Sequence, residues 1–121
     1  MARAIENLPE SRTFFHAGRP IVIAGLVEQW PGRAVAWTVV SEHRQFQAMA
    51  LVAGQLEQIV QELLSTRYHR IEAYADTQPL AWWRGADWWL RKMKFNREGV
   101  LSRFTEDGRD QAIYARVRHD G

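Results

Sequence analysis

The sequence predicts a mixed α/β domain, with a central sheet of about five strands and two main helices in the order β-β-α-β-α-β-β. Three observations carry this. Two runs rich in β-branched residues flank Pro31-Gly32, an apolar stripe with helical spacing runs through residues 46–63, and Asp107-Gly108 separates two short runs near the C-terminus. At 121 residues the chain has room for one domain, spanning 1–121.

Residues 1–18 are weakly patterned, with a short helix over residues 2–8 as the best local suggestion before Pro9. Residues 20–29 then carry Ile21, Val22, Ile23 and Val27, and residues 34–40 are apolar again around Trp37. With Pro31-Gly32 between them, these read as two strands and a tight turn. Their apolar residues run almost continuously, which suits a sheet covered on both faces.

Ser41 is a candidate helix cap. Beyond it Phe46, Met49, Ala53, Leu56, Val60 and Leu63 recur every three or four positions, predicting one long helix that ends near Ser65. Residues 70–75 alternate Ile71, Ala73 and Ala75 with Arg70, Glu72 and Tyr74, the pattern of a third strand. Asp76 and Thr77 ahead of Pro79 predict a second helix reaching Met93. Residues 95–99 link it to a fourth strand over 100–106, and Asp107-Gly108 turns the chain into a fifth over 109–117. A crossover helix, a second helix and a terminal hairpin imply helices on both sides of a mixed sheet.

Composition narrows the chemistry. There is no cysteine, which excludes disulfides, thiolate metal sites and a cysteine nucleophile. His16, His43, His69 and His119 show no short metal-ligand spacing, so no metal site is expected. No apolar run approaches the roughly 20 residues that span a bilayer, and Glu6 and Pro9 interrupt any signal-peptide pattern. The expectation is a cytoplasmic protein without membrane contact. The isoelectric point of about 9.4 meets one condition for nucleic-acid binding. Lys and Arg number 16 against 14 acids and are scattered, which weighs against such a role.

Ala86, Lys92, Phe95, Glu98, Gly99, Arg103, Asp107, Gly108, Asp110 and Tyr114 form an ordered set. In order and near-spacing they resemble the C-terminal half of the GNAT superfamily of N-acetyltransferases. The resemblance implies that fold and an acetyl-coenzyme A cofactor. It places cofactor contacts on the backbone between the central strand and the long helix, at Val39, Val40, Ser41, Arg44 and Gln45, with Glu28 or Glu72 as the candidate general base. Asp110 and Tyr114 read as stabilisers of the terminal hairpin.

The departures matter as much. The family's loop pattern Gln/Arg-x-x-Gly-x-Gly/Ala has Gln47 and Met49 where small residues belong, so side chains are expected to crowd a pyrophosphate. Trp83 stands at the family's helix asparagine, Leu90 at its tyrosine donor and Lys94 at the glycine before Phe95. The residues before Pro20 are too few for the family's first strand and two helices. The Ala-Trp strand, the Arg-Ile-Glu strand and the Trp-rich second helix look similar to short GNAT-like proteins of tailed phages and prophages, a group associated with virion assembly.

Trp82, Trp83, Trp88 and Trp89 occupy two sides of one helix and cannot all face one sheet. Two buried and two exposed is the plain expectation; a surface for a protein partner or for self-association is the functional one. The sequence therefore favours a non-catalytic relative acting through protein contacts, in a host cytoplasm or a virion. An acetyl-CoA-dependent N-acetyltransferase acting on an amine is the alternative.

Overall fold

A computed structural model describes residues 12–41 and 44–119. Six strands and two helices follow in the order β1 (Arg12–His16), β2 (Arg19–Trp30), β3 (Arg33–Val40), α1 (Phe46–Thr66), β4 (Arg70–Asp76), α2 (Leu80–Lys92), β5 (Asn96–Leu101) and β6 (Gln111–Val117). The strands form one mixed sheet ordered β1-β2-β3-β4-β6-β5. Only β3 and β4 run parallel, and α1 supplies the crossover that parallel neighbours need.

The core lies on one face of this sheet. Val22, Ala24, Leu26, Ala34, Ile71 and Ala73 point from the strands toward the helices. α1 answers with Ala48, Met49, Val52, Ala53, Leu56, Val60 and Leu64, a stripe at helical spacing. α2 contributes Trp89 and Leu90. The helices also clasp each other, because Trp89 Nε1–H donates to the Met49 carbonyl at 2.8 Å. Tyr114 and Arg116 lie two apart on β6 and share a face. Tyr114 meets Trp83 of α2, while Arg116 meets Glu57 and Gln61 of α1.

Both helices therefore cover the same side, which corrects the expectation of helices on both. The residues alternating with the core positions explain it. Arg33, Arg70 and Glu72 face the other way and bind one another instead of a helix. The continuous apolar character of β2 and β3 did not signal a second cover, since Ile23 and Val39 on that face are 40% and 60% exposed.

Several boundaries also move. β1 is a sixth strand within the stretch expected to be weakly structured; the residues of the expected N-terminal helix lie outside those described. The strand expected at 100–106 lies earlier, as β5. Asp107-Gly108 sits inside a longer connection closed by side chains: the Asp110 carboxylate accepts the Arg103 amide at 2.8 Å, and the Thr105 hydroxyl accepts the Arg109 amide at 2.7 Å. Ser41 does not cap α1, because its N–H extends the β2–β3 ladder to the Ile21 carbonyl. Gln45 takes the N-cap position without a side-chain bond. Asp76 closes β4, accepting hydrogen bonds from Gln111 and Arg109, and Pro79 stands at the N-cap of α2.

Candidate functional site

Parallel pairing between β3 and β4 covers Arg33–Arg70, Ala34–Ile71 and Val35–Glu72, and then stops. Beyond it the two strands part. Residues 36–40 keep β2 on their other side and residues 73–76 keep β6, so their facing backbone edges have no partner strand among the described residues. A cleft of about 870 Å³ occupies the gap. It is lined by Ala36 and Ala73 from the helix-covered face and by Trp37 and Tyr74 from the opposite face, so it passes between the strands. The opening lies at the C-terminal ends of two parallel strands, the usual place for a ligand in an α/β sheet.

The mouth is built by the start of α1 and one side of α2. The first intrahelical bond of α1 runs from the Met49 amide to the Gln45 carbonyl at 2.8 Å. The amides of Phe46, Gln47 and Ala48 therefore precede the helical ladder. No acidic residue stands in that first turn and no side chain caps it, so the helix end keeps its positive field. Arg44 lies beside it, its guanidinium 4.8 Å from the Trp82 ring centroid. Phe46 stacks on Trp88 at 4.7 Å, with the Lys92 ammonium also over the Trp88 ring.

The residues expected to hold a cofactor separate here. Val40 and Arg44 line the cleft. Val39 faces away, the Ser41 amide is committed to β2, and Gln45 contributes its carbonyl to the helix. His43 lies outside the described residues. Of the two residues expected to crowd a pyrophosphate, Gln47 is exposed, and Met49 is buried in the core while also lining the cleft. Phe46, 70% exposed at the mouth, is the bulk the sequence reading overlooked.

The four tryptophans divide by position. Trp89 is buried, and Trp83 is half-buried with its Nε1–H donating to Tyr114 at 3.0 Å. Trp82 and Trp88 are exposed, and both belong to the cleft wall. The Tyr114 hydroxyl in turn donates to Asp87 at 2.6 Å. Burial, reinforced by that bond, pushes the Tyr114 phenol up to about 12. Tyr114 thus ties β6 to α2 rather than bracing the terminal hairpin.

Neither carboxylate proposed as a base fits the task. Glu72 is buried; Arg33 donates to it at 2.6 and 2.9 Å, Arg70 at 2.5 Å and Tyr74 at 3.0 Å. The Arg33 hydrogen bonds outweigh the opposing effect of burial and, with Arg70 and Tyr74, hold the Glu72 carboxyl at about 2. A group that acidic and that fully engaged is a poor proton acceptor. Glu28 lies opposite Ala34, where β3 and β4 are still paired, and faces Arg67 at 3.5 Å. It is not part of the cleft wall. Tyr74, which the sequence reading left unremarked, does line the cleft, and burial followed by the Glu72 bond raises its pKa. Among the described residues no group of His, Asp or Glu could hold a metal ion, and no helix is long and apolar enough to cross a membrane.

A six-stranded mixed sheet, a splayed parallel pair and a helix N-terminus at the mouth of the splay define the fold of the GNAT-type acetyltransferases. Solved structures share it. The ribosomal L7/L12 α-N-protein acetyltransferase RimL in complex with coenzyme A superposes with a TM-score of 0.68 at 15% identity, over 87% of this chain and 59% of that one. The ribosomal-protein-S5-alanine acetyltransferase from Vibrio fischeri gives 0.67 at 13% identity, over 85% and 57%. The microcin C7 self-immunity acetyltransferase MccE in complex with acetyl-CoA and AMP gives 0.65 at 17%, over 82% and 55%. The chain thus spans less than three fifths of the length of each. The sequence matches no protein-family model and no curated protein.

Proposed function

We propose that this chain binds an acyl-coenzyme A thioester in the β3–β4 cleft and transfers its acetyl group to an amine. The cleft carries the reading. Two strand edges without partner strands among the described residues face an apolar slot, which suits an extended arm bearing amides that can pair with those edges. At the mouth, the first amides of α1 and the Arg44 guanidinium suit a pyrophosphate. The bound thioester would supply an activated carbonyl. The coenzyme A and acetyl-CoA complexes of RimL and MccE support the same reading.

Within the described wall of the cleft there is no carboxylate and no imidazole. The acceptor amine must then arrive unprotonated, and catalysis rests on holding amine and thioester together. The rate is expected to rise with pH as the acceptor loses its own proton, levelling above the acceptor's pKa.

The absence of a base in that wall also favours a second reading: a non-catalytic relative acting through protein contacts, such as a phage assembly component. One assay separates the two. The chain has no cysteine, so free thiol released from acetyl-CoA can be followed with a thiol reagent without background from the protein. Release that needs both the protein and a primary amine is expected. Cofactor binding without release from any amine, from neutral to alkaline pH, would support the second reading instead.

A further inference from the structure

The cleft passes between two strands, so it has a second mouth on the sheet face that no described helix covers. With the phosphates and the thioester arm at α1, this side is left for the acceptor. Val35 and Glu72 are the last residues paired across the seam. Two residues further along each strand, on the same face, come Trp37 and Tyr74. One aromatic ring thus stands on each side of the gap, both partly exposed and both lining it. Phe104, 52% exposed, stacks on Tyr74 with ring centroids 5.6 Å apart and extends that surface. The Tyr74 hydroxyl donates to Glu72 at 3.0 Å, so the ring is held at its tip as well as at its face.

The same mouth has no spare carboxylate for an ammonium. Glu72 and Asp76 share the Tyr74 face of β4, and both are taken. Glu72 is held by Arg33, Arg70 and Tyr74, and Asp76 by Arg109 and Gln111. Among the described lining residues Arg44 alone carries a charge, and it sits at the other mouth. An alkylamine is protonated at neutral pH, and entering the slot would cost it its water without a partner in return. Aromatic faces do attract an ammonium, yet an ammonium has no lone pair to attack with and no base in the described wall to free one. An arylamine differs on both counts. Its nitrogen lone pair is delocalised into the ring, so it is neutral at pH 7, and the ring itself stacks against aromatic walls.

We infer that the acceptor is a primary arylamine, its ring held at Trp37 and Tyr74 and its nitrogen directed into the slot. This rests on the acyltransferase reading of the same cleft. The nitrogen forms the amide bond to the acetyl carbon and the carbon–sulfur bond breaks. The proton given up by the nitrogen leaves on the coenzyme A thiol, so no protein base is consumed.

4-Methylaniline and benzylamine contain the same atoms and the same ring, and differ in whether the nitrogen is neutral at pH 7. Each is titrated calorimetrically into the whole chain saturated with coenzyme A, and each is assayed for thiol release from acetyl-CoA between about pH 6 and about pH 9. Release with 4-methylaniline is expected to be flat over that range, and release with benzylamine to start far lower and rise about tenfold per pH unit. Phe104→Ala should weaken 4-methylaniline binding about fivefold, the loss of one stacked ring, while leaving coenzyme A affinity unchanged. Trp37→Leu is a second variant that should weaken it as well. Benzylamine releasing thiol at pH 7 as fast as 4-methylaniline overturns the inference and leaves the acyltransferase proposal standing. So does 4-methylaniline binding that neither substitution alters. If coenzyme A binds but neither amine releases thiol, or if coenzyme A does not bind, both proposals fall.

Discussion

Glu72 shares its two oxygens among Arg33, Arg70 and Tyr74, and that crowding sets its acid–base behaviour. Its carboxyl titrates at about 2 in the folded chain against an ordinary value of 4.5. A depressed carboxyl stabilises the fold fully above its unfolded pKa and loses that contribution as pH falls through the folded one. Acid destabilisation is therefore expected to develop from about pH 4.5 down to about pH 2. Glu72→Gln should flatten this window and cost about 3 kcal/mol at neutral pH, read by urea unfolding, because Arg33 loses its carboxylate while Arg70 keeps that of Glu98. Tyr114→Phe should cost about 1 kcal/mol, since the part-buried Trp83 Nε1–H and Asp87 carboxylate each lose a bond while Asp87 keeps that of Arg91. Lys94, where the resemblance expects a glycine, has a left-handed backbone at φ 68°. Lys94→Gly should therefore stabilise the fold by about 1 kcal/mol, and its exposed pairing with Glu57 adds little against that. The sequence showed that this position departs from the pattern it resembles; its left-handed backbone was not legible, because the turn that closes α2 sets it.

At the scale of elements, α1 and α2 matter as a pair. Periodicity was enough to find both helices and the strands β2, β3, β4 and β6, because each has one face that must be buried. β1 escaped notice since Phe14 packs inward while Phe15 is exposed, leaving no alternation to read. Which side of the sheet the helices take was equally hidden. It depends on Trp89 reaching the Met49 carbonyl and on Arg116 reaching Glu57, contacts remote in sequence. Trp89→Phe removes the buried donor between the helices while keeping an aromatic ring. It should lower stability by about 1 to 2 kcal/mol and loosen the cleft, seen as faster amide exchange in α2 than in β4. On the proposed function, Arg44→Ala should weaken coenzyme A binding about tenfold and reduce its salt dependence, because one cation beside the start of α1 is lost. Catalytic assay of the same variant should show the loss in KM rather than in kcat.

The described residues form a sheet that parts along its one parallel seam, under two helices that cover one face. Of the candidate site, the sequence made Arg44 and the start of α1 legible, through a partial likeness to a phosphate-binding loop. The cleft itself was not legible. It is made by where strand pairing stops, and Ala36, Ala73, Trp37 and Tyr74 carry no local sign that they will face one gap. Nor could the sequence show that Glu72 would be neutralised from both sides, since Arg33 lies 39 positions away. The proposed function rests on the open slot rather than on any single side chain. Calorimetric titration with coenzyme A, comparing the unsubstituted chain with Ala36→Trp, tests it most directly. One coenzyme A per chain, with binding abolished by a tryptophan that fills the slot in a variant still folded by circular dichroism, is the predicted result. Absence of heat and of any melting shift with the unsubstituted chain at millimolar coenzyme A would contradict it.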